Sequence, residues 1–171
     1  MQEKILIDGY NLLQSPAFHT PLNLDREGQR DHLIRLLYSY ANQHGVDVVV
    51  VFDSSLQTNN RRFQARRVTV IFSPPHQEAD DVIRQLIRQE NHAANLVVVS
   101  SDQAIRFTAS DHGARSWSSE EFCRQLFSPL TQPETTDNEM ETTREKYDPD
   151  LSDQEIQEWM DLFNRENTDD P

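Results

Sequence analysis

The 171-residue chain has few of the residues that would place it in several large classes of protein. A single cysteine, Cys123, excludes an intramolecular disulfide and fits a reducing compartment. With only four glycines and no P-loop signature, nucleotide binding of that type is excluded. No apolar run approaches the ~18 residues of a membrane span, and the N-terminus leads directly into a strand without a signal-like segment. We therefore expect a cytoplasmic protein without a membrane partner.

Acidic residues outnumber basic ones, but they are distributed unevenly along the chain. Residues 1–128 carry 15 acidic and 13 basic side chains, and 12 of those bases are arginine. Residues 129–171 carry 14 acidic and three basic side chains, which is −11 of the net charge of −13. Arginine suits bidentate contacts to phosphate and stacking on bases. The overall charge therefore does not exclude a polyanionic partner.

Apolar runs alternate with helical patterns through the first 128 residues. Continuous aliphatic runs predict buried parallel strands, and segments with apolar residues at helical spacing predict helices. Gly45 is a candidate helix C-cap, and Ser118 with Glu121 has the spacing of a capping box. This alternation favours an α/β fold with a mostly parallel central sheet flanked by helices. We predict strands at 4–8, 47–53, 68–72, 95–100 and 114–117, helices at 25–44, 78–91, 103–110 and 119–127, and polar loops after the first two strands, the second at 54–67.

The composition changes after residue 128, so we expect a functional domain at 1–128 and an appendage beyond it. Residues 129–150 are rich in Thr, Glu, Asp, Gln and Pro and predict a disordered acidic linker. Residues 151–166 predict an amphipathic helix with Ile156, Trp159, Met160 and Phe163 on one apolar face. Such a helix docks either on its own domain, which we favour, or on another protein.

Three of the predicted strands lead into aspartates, namely Asp8, Asp53 and Asp102. The carboxyl ends of parallel strands share one edge of the sheet, where α/β folds bind their ligands. A further acidic cluster at 78–81 begins the helix that follows the strand at 68–72. Crowded carboxylates repel one another unless a cation neutralises them, and donors that are all oxygen suit Mg²⁺ or Mn²⁺. The sequence therefore predicts a metal site at this edge.

Helical spacing distinguishes the acids of the 78–81 cluster. Asp80 lies at the edge of the apolar stripe, Asp81 faces solvent, and Glu78 flanks the stripe on its other side. We predict that Asp80 is the metal ligand of this cluster, with Glu78 or Asp81 as the alternative ligand. Acids in a first helical turn also stabilise the helix dipole, but that does not explain aspartates at three strand ends. Asp53 either orients a metal-bound water or only terminates its strand.

Other polar residues lie beside these acids in the sequence. Asn11 is able to hold a ligand carboxylate or a phosphate oxygen, although Asp8 and Asn11 are also ordinary turn formers. Ser100 and Ser101 place hydroxyl groups beside Asp102, and for Ser101 we expect the role of helix N-cap.

A basic cluster lies in the predicted loop at 54–67, which begins at the edge that carries Asp53. Its arginines are candidates for contacts to the phosphates of a polyanionic partner, with an aromatic ring available to stack on a base. A solvated surface loop is an alternative of equal weight. The residues concerned are Arg61, Arg62, Phe63, Arg66 and Arg67.

Four motifs in this order resemble a known family: Asp8-Gly9-Tyr10-Asn11, the strand end Phe52-Asp53, the helix start Glu78-Ala79-Asp80, and Ser100-Ser101-Asp102. Over about residues 3–127 the chain resembles the YacP-like branch of the NYN-domain family, within the PIN-like nuclease superfamily. The resemblance implies a three-layer PIN-like fold and a Mg²⁺- or Mn²⁺-dependent endoribonuclease that acts in RNA processing or mRNA decay. By matching motif, Asp8, Asn11, Asp80 and Asp102 would form the metal site, with Asp53 accessory.

The expected substrate is single-stranded or loop RNA, because a small open crevice does not easily read a duplex. Whether ribosomes or other RNA-processing machinery present that RNA stays open. The main alternative is a non-catalytic RNA-binding module with a PIN-like fold, against which the intact acid set argues. A phosphohydrolase with an aspartyl nucleophile is less favoured, because Asp8 is followed by Gly9 and Tyr10 and not by the usual Asp-x-Asp pattern. For such a nuclease, the basic cluster in the loop at 54–67 is the candidate for binding the RNA backbone. The acidic tail could also mimic RNA and occupy this cluster.

Overall fold

The first strand lies at the centre of the sheet, and the chain adds strands on both sides of it. The computed structural model describes residues 2–21, 23–54 and 62–128. In these residues the strands are β1 Lys4–Asp8, β2 Asp47–Phe52, β3 Arg62–Ala65, β4 Val68–Phe72, β5 Leu96–Val99 and β6 Arg115–Trp117. The helices are α1 Gly9–Leu13, α2 Arg26–His44, α3 Ala79–Gln89, α4 Gln103–Asp111 and α5 Ser119–Leu126, with a short 3-10 turn at Ala93–Asn95.

The strand order in the sheet is β3-β4-β2-β1-β5-β6. All neighbours are parallel except β3 and β4, which form an antiparallel pair, and Ile7 of β1 lies between Val50 of β2 and Val99 of β5. The chain leaves β1 toward β2 on one side and leaves β5 toward β6 on the other. The connections therefore diverge between β1 and β5, which is the switch point where α/β sheets open a crevice at their carboxyl edge.

Helices cover both faces of the sheet and make the fold three-layered. Helices α1, α2 and α5 contact one another, and α3 contacts α4. Leu6, Val51 and Val98 of the sheet are buried with Ile83 of α3 and Ile105 of α4 in one core cluster. Side chains alternate along a strand, so the neighbours of these sheet residues point to the opposite layer. The strands are continuous apolar runs because both faces are buried.

This architecture confirms the predicted α/β fold with a mostly parallel central sheet. Asp25 is the N-cap of α2, where its side chain accepts a hydrogen bond from Gly28 N at 2.8 Å. Gly45 ends that helix at a φ of 65°, in the left-handed conformation that a C-cap glycine adopts. The capping box of Ser118 and Glu121 is present at the start of α5. Local cap chemistry therefore places these helix ends where the sequence predicts them.

The structure corrects three details of the predicted elements. Strand β3 occupies Arg62–Ala65, so the prediction of a loop throughout 54–67 is wrong. Helix α1 occupies Gly9–Leu13, where we expected a loop. Helix α3 spans Ala79–Gln89, two residues short of the predicted C-terminal end. The predicted linker at 129–150 and terminal helix at 151–166 lie outside the described residues and stay predictions. Over the described ranges, no helix combines the length and the apolar character needed to cross a membrane.

Candidate active site

Four aspartates reach the carboxyl edge of the sheet from separate elements. Asp8 is the last residue of β1, and Asp53 directly follows β2. Asp102 lies between β5 and α4, and Asp80 is the second residue of α3. Helix α3 leads from β4 back to the start of β5, so its first turn lies at the same edge as the ends of the parallel strands. The topology thus gathers these carboxylates around the switch point between β1 and β5.

Asp8 is the most buried of the four, with 8% of its surface exposed. Its Oδ1 atom accepts a hydrogen bond from Asn11 N at 3.4 Å and so caps helix α1. Burial raises the pKa of the Asp8 carboxyl to about 7, and repulsion from Asp80, Asp53 and Asp102 acts in the same direction, against the hydrogen bond from Asn11. A carboxyl with this pKa is partly protonated at neutral pH and becomes a full anion when a cation approaches it.

Gly9 lets α1 pack directly against the sheet immediately after Asp8. A Cβ atom at this position would overlap the side chain of Phe52, whose ring is fully buried at the end of β2. The Tyr10 ring packs edge-on against the same ring, with a centroid separation of 5.1 Å. The glycine therefore sets the close approach of α1 to β2, and with it the position of the Asp8 cap.

Asp102 and Asp53 each use one carboxylate oxygen to cap a helix. Oδ1 of Asp102 accepts hydrogen bonds from Ala104 N at 2.8 Å and Ile105 N at 3.2 Å, so Asp102 is the N-cap of α4 and the prediction of that role for Ser101 is wrong. Oδ1 of Asp53 accepts a hydrogen bond from Ala79 N at 2.5 Å and caps α3 from the neighbouring strand. The described residues donate no hydrogen bond to Oδ2 of Asp8, Asp53 or Asp102. These three caps fix the carboxylates and leave one oxygen of each for a ligand.

Asp80 is half-buried, and its carboxylate accepts no hydrogen bond from the described part of the chain. Burial raises the pKa of this carboxyl, and repulsion from Asp102 and Asp53 adds to the effect, while Arg84 opposes it. The next residue, Asp81, is exposed and forms an ion pair with Arg84 at 3.0 Å, and Glu78 is exposed as well. Of the acids at 78–81, Asp80 is therefore the half-buried one, and its carboxyl is affected by the charges of Asp53 and Asp102.

Asn11 ties the end of β1 to the segments that follow β5 and β6. Its Oδ1 atom accepts hydrogen bonds from Ser101 N at 3.0 Å and from the Ser119 hydroxyl at 2.6 Å. Its Nδ2 atom donates to no residue that the structure describes. The carboxamide oxygen therefore holds the site together, and the carboxamide nitrogen is the group available to an anionic ligand.

Residues 5–164 match the YacP-like NYN domain family. The chain belongs to this family. Like the rest of the PIN-like nuclease superfamily, NYN domains are nuclease-like, which makes a hydrolase the class of enzyme that the relationship indicates.

Solved and curated relatives agree with this assignment. The chain is 31% identical over 125 residues to the uncharacterized protein YacP of Bacillus subtilis strain 168. The aligned region covers 71% of this chain and 74% of that protein. The crystal structure of a tryptophan-to-leucine mutant of Rae1 (YacP) from Bacillus subtilis matches with a TM-score of 0.58 and 31% identity over 73% of this chain and 75% of that one. A second crystal structure of Rae1 (YacP) from the same organism matches with a TM-score of 0.58 and 29% identity, covering 73% and 74% of the two chains.

A further acid of the NYN domain, Glu120, lies at this edge and was not predicted as a site residue. Its carboxylate accepts hydrogen bonds from the hydroxyls of Ser101 at 3.3 Å and Ser15 at 3.5 Å. The Ser101 hydroxyl in turn accepts a hydrogen bond from Ser119 N at 3.1 Å. The sequence signal was the capping box at the start of α5, which we assigned to helix initiation alone. Because α5 follows β6, a parallel strand, it also begins at the carboxyl edge of the sheet.

The predicted RNA-binding segment of the NYN domain is divided between the two edges of the sheet. Arg62 is exposed and pairs in register with Ile71 near the carboxyl end of β4. Arg66 and Arg67 form the β3–β4 turn at the opposite, amino edge. There Arg67 Nη1 lies 3.4 Å from Asp47 Oδ1 at the start of β2. The structure therefore brings Arg62 toward the carboxylates but not Arg66 or Arg67, while Arg61 and the side chain of Phe63 lie outside the described residues.

The donor chemistry of this NYN domain fits a hard divalent cation. The converging groups are carboxylates with free oxygens, which Mg²⁺ and Mn²⁺ prefer over nitrogen or sulfur. Across residues 2–21, 23–54 and 62–128, however, no three acidic, histidine or cysteine side chains lie close enough together to hold a metal ion as they are placed. Ligation would therefore require the side chains to turn toward one another, and Asp80, whose carboxylate accepts no hydrogen bond there, is the least constrained.

Proposed function

We propose that this NYN domain is a metal-dependent endoribonuclease that hydrolyses RNA phosphodiester bonds, in RNA processing or mRNA decay. The observation that carries the proposal is the convergence of Asp8, Asp53, Asp80 and Asp102 at the switch point, where burial and mutual repulsion raise the pKa of Asp8 to about 7. Stability alone would not favour four carboxylates at one edge, because their negative charges repel one another unless protons or a cation neutralise them. Membership in a nuclease-like family supports RNA as the polyanion that a cation-loaded site would bind.

Asp8, Asp80 and Asp102 are the residues that would hold Mg²⁺ or Mn²⁺. When bound, such an ion lowers the pKa of a water ligand and offsets negative charge on the phosphate. Asp8 must lose its proton to act as a ligand, so we expect metal binding to release protons near neutral pH. One of its oxygens caps α1, which leaves the other for the ion.

The other groups of the site would bind and orient the RNA strand. The Asn11 Nδ2 atom is available to donate to a phosphate oxygen, since Oδ1 is held by Ser101 and Ser119. Asp53 acts through its bond to Ala79 N, which fixes the first turn of α3 and the backbone of Asp80. A single strand suits such an open edge better than a duplex.

The test is cleavage of a labelled, mostly single-stranded RNA by the full chain with Mg²⁺, Mn²⁺ or EDTA. Asp8→Asn and Asp102→Asn keep side-chain size and cap acceptors, so we expect cleavage to fall at least about 100-fold without unfolding. Asp80→Asn and Asp81→Asn form a matched pair one residue apart, and only the first is expected to lose activity. Cleavage that survives in both Asp8→Asn and Asp102→Asn would contradict the proposed site.

A non-catalytic RNA-binding module is the second candidate function. It is favoured by the lack, within the described residues, of a ready-made metal-ligating group. Binding of the same RNA by the wild-type chain, with no cleavage under Mg²⁺ or Mn²⁺ and no change in unfolding temperature on adding either metal, would support this candidate over the nuclease.

A further inference from the structure

Tyr10 and Arg26 form a stacked pair at the carboxyl edge. Arg26 is the first residue of α2, which leads back to the start of β2, so this helix begins at the same edge as the carboxylates. The Arg26 guanidinium carbon lies 4.3 Å from the centroid of the Tyr10 ring. Tyr10 is itself held by its edge-on contact with the buried ring of Phe52. The guanidinium is therefore fixed over a ring that is two residues from Asp8 in the sequence.

The positive charge of Arg26 is not neutralised within the part of the chain that the structure describes. Some of the other arginines there do have carboxylate partners, such as Arg84 with Asp81 at 3.0 Å and Arg67 with Asp47 at 3.4 Å. Arg26 is exposed, and neither a hydrogen bond nor an ion pair joins it to a described residue. The adjacent Asp25 carboxylate is engaged in capping α2 through Gly28 N. The contact with the Tyr10 ring restrains the guanidinium and leaves its N–H donors available to a bound ligand.

The positive charge of Arg26 would offset the repulsion between the carboxylates of this edge and the phosphates of RNA. The edge gathers Asp8, Asp53, Asp80 and Asp102, which repel the phosphates of an approaching nucleic acid. A planar guanidinium offers paired N–H donors that match two phosphate oxygens, and one of its faces is already covered by the Tyr10 ring. Fixing the side chain before binding lowers the entropy lost when the contact forms.

We propose that Arg26, held in place by Tyr10, binds a phosphate group of the RNA strand next to the bond at the carboxylate site. This inference rests on the proposed function, because it assumes that RNA is the ligand of that edge. Arg26 contacts the strand, whereas Tyr10 is a positioning residue that acts through it. A purely structural pair would instead stabilise the start of α2 without changing affinity for RNA.

The test measures equilibrium binding of a short fluorescein-labelled single-stranded RNA to the full chain in EDTA, by fluorescence anisotropy across a salt series. We expect Arg26→Ala to raise Kd roughly fivefold and to reduce the slope of log K against log salt by about 0.7, the share of one phosphate contact on a single strand. Arg88→Ala is the matched control, because Arg88 is exposed in the last turn of α3 at the opposite edge. It removes the same charge and should leave the slope unchanged.

The positioning role of Tyr10 has its own variants. Tyr10→Phe keeps the ring face and should bind RNA like the wild type, whereas Tyr10→Leu should reproduce part of the Arg26→Ala loss. Arg26→Lys keeps the charge but not the planar donors, so its Kd should lie between those of the wild type and Arg26→Ala.

The outcomes separate this inference from the proposed function. Equal Kd and equal salt slope for Arg26→Ala and Arg88→Ala would overturn the inference, even where metal-dependent cleavage by the wild type upholds the nuclease. A wild-type chain that binds no RNA would overturn it too. An Arg26-dependent Kd with no cleavage under Mg²⁺ or Mn²⁺ would support the phosphate contact while the nuclease proposal fails.

Discussion

At the scale of single residues, the Asp8 carboxyl links the stability of the fold to pH. Its pKa rises from 3.8 to about 7 on folding. Between these values the unfolded chain releases the proton and the folded protein keeps it, so the free energy of unfolding falls as pH rises from about 4 to 7. The loss is complete above pH 7 and is at most roughly 4 kcal/mol. Asp80, whose pKa is also raised, acts in the same direction.

We therefore predict that Asp8→Asn makes the protein more stable at pH 8, where the wild type holds a buried charge. Asn retains the oxygen that caps α1, so the gain comes from removing the charge. Urea unfolding in EDTA at pH 5 and pH 8 checks this, with Asp81→Asn as an exposed control. The difference between the two pH values should shrink in Asp8→Asn and persist in the control. An unchanged difference in Asp8→Asn would contradict the burial effect.

Gly9 gives a steric prediction at the same scale. We expect Gly9→Ala to destabilise the fold by about 1–3 kcal/mol, because the added methyl group overlaps the buried Phe52 ring. Displacement of α1 would also move Asp8 and Asn11, so RNA cleavage should fall with stability. A double-mutant cycle with Phe52→Leu isolates the cause, since the smaller side chain makes room for the methyl group. If Gly9→Ala costs the same in both backgrounds, the Phe52 contact is not responsible.

At the scale of elements, Asn11 shows how distant segments are joined into one site. Its partners Ser101 and Ser119 are 90 and 108 residues away in the sequence. We predict that Asn11→Ala destabilises the fold by about 1–3 kcal/mol, because it leaves Ser101 N and the Ser119 hydroxyl without their acceptor. Ser119→Ala removes only one of these donors and should cost less. Thermal unfolding together with RNA cleavage measures both effects, and an Asn11→Ala variant that is no less stable than Ser119→Ala would contradict this role.

The sequence predicts elements well where one physical signal dominates. Buried strands such as β2 are continuous valine runs, and α2 is long and ends in a cap glycine. Helix α1 has five residues and begins directly after Asp8, too short for a helical period to show. Strand β3 is an edge strand that begins with Arg62, and an edge strand needs no apolar run. Local signals therefore predict the parallel core of the sheet and miss its short and polar elements.

For the candidate site as well, the sequence predicts the residues that follow from local patterns and misses those that depend on topology. Asp8, Asp53 and Asp102 follow from the rule that parallel strands end at one edge, and Asp80 follows from helical spacing. Capping of α3 by Asp53 joins residues that are 26 apart in the sequence, which no local spacing reveals. Asp102 caps α4 with ordinary local spacing, but we assigned that role to the neighbouring Ser101. Arg26 and Glu120 lie at the edge because α2 and α5 each begin there. Such placements come from topology, so they required the structure.

At the scale of the whole molecule, the charge of the chain is divided at about residue 128. Residues 1–127 form a compact unit of their own, so a chain ending at residue 128 should fold. The residues beyond it carry a net charge of −11, against −2 for residues 1–128. Like charges repel over about one Debye length, which is ~30 Å at 0.01 M salt and ~8 Å at 0.15 M. The acidic tail should therefore oppose the approach of RNA most strongly at low salt.

We predict that a chain ending at residue 128 binds single-stranded RNA more tightly than the full chain at low salt, and that the gain shrinks as salt is added. Anisotropy titrations in EDTA over a salt series measure this. A full-length control in which the acids of residues 134–150 are replaced by Asn and Gln separates charge from length, and it should reproduce most of the gain. Equal affinity of the full and shortened chains at low salt would show that the tail does not regulate binding through its charge. If the shortened chain binds RNA more tightly at every salt concentration and the charge-neutralised chain does not, the effect would belong to the predicted amphipathic helix at 151–166.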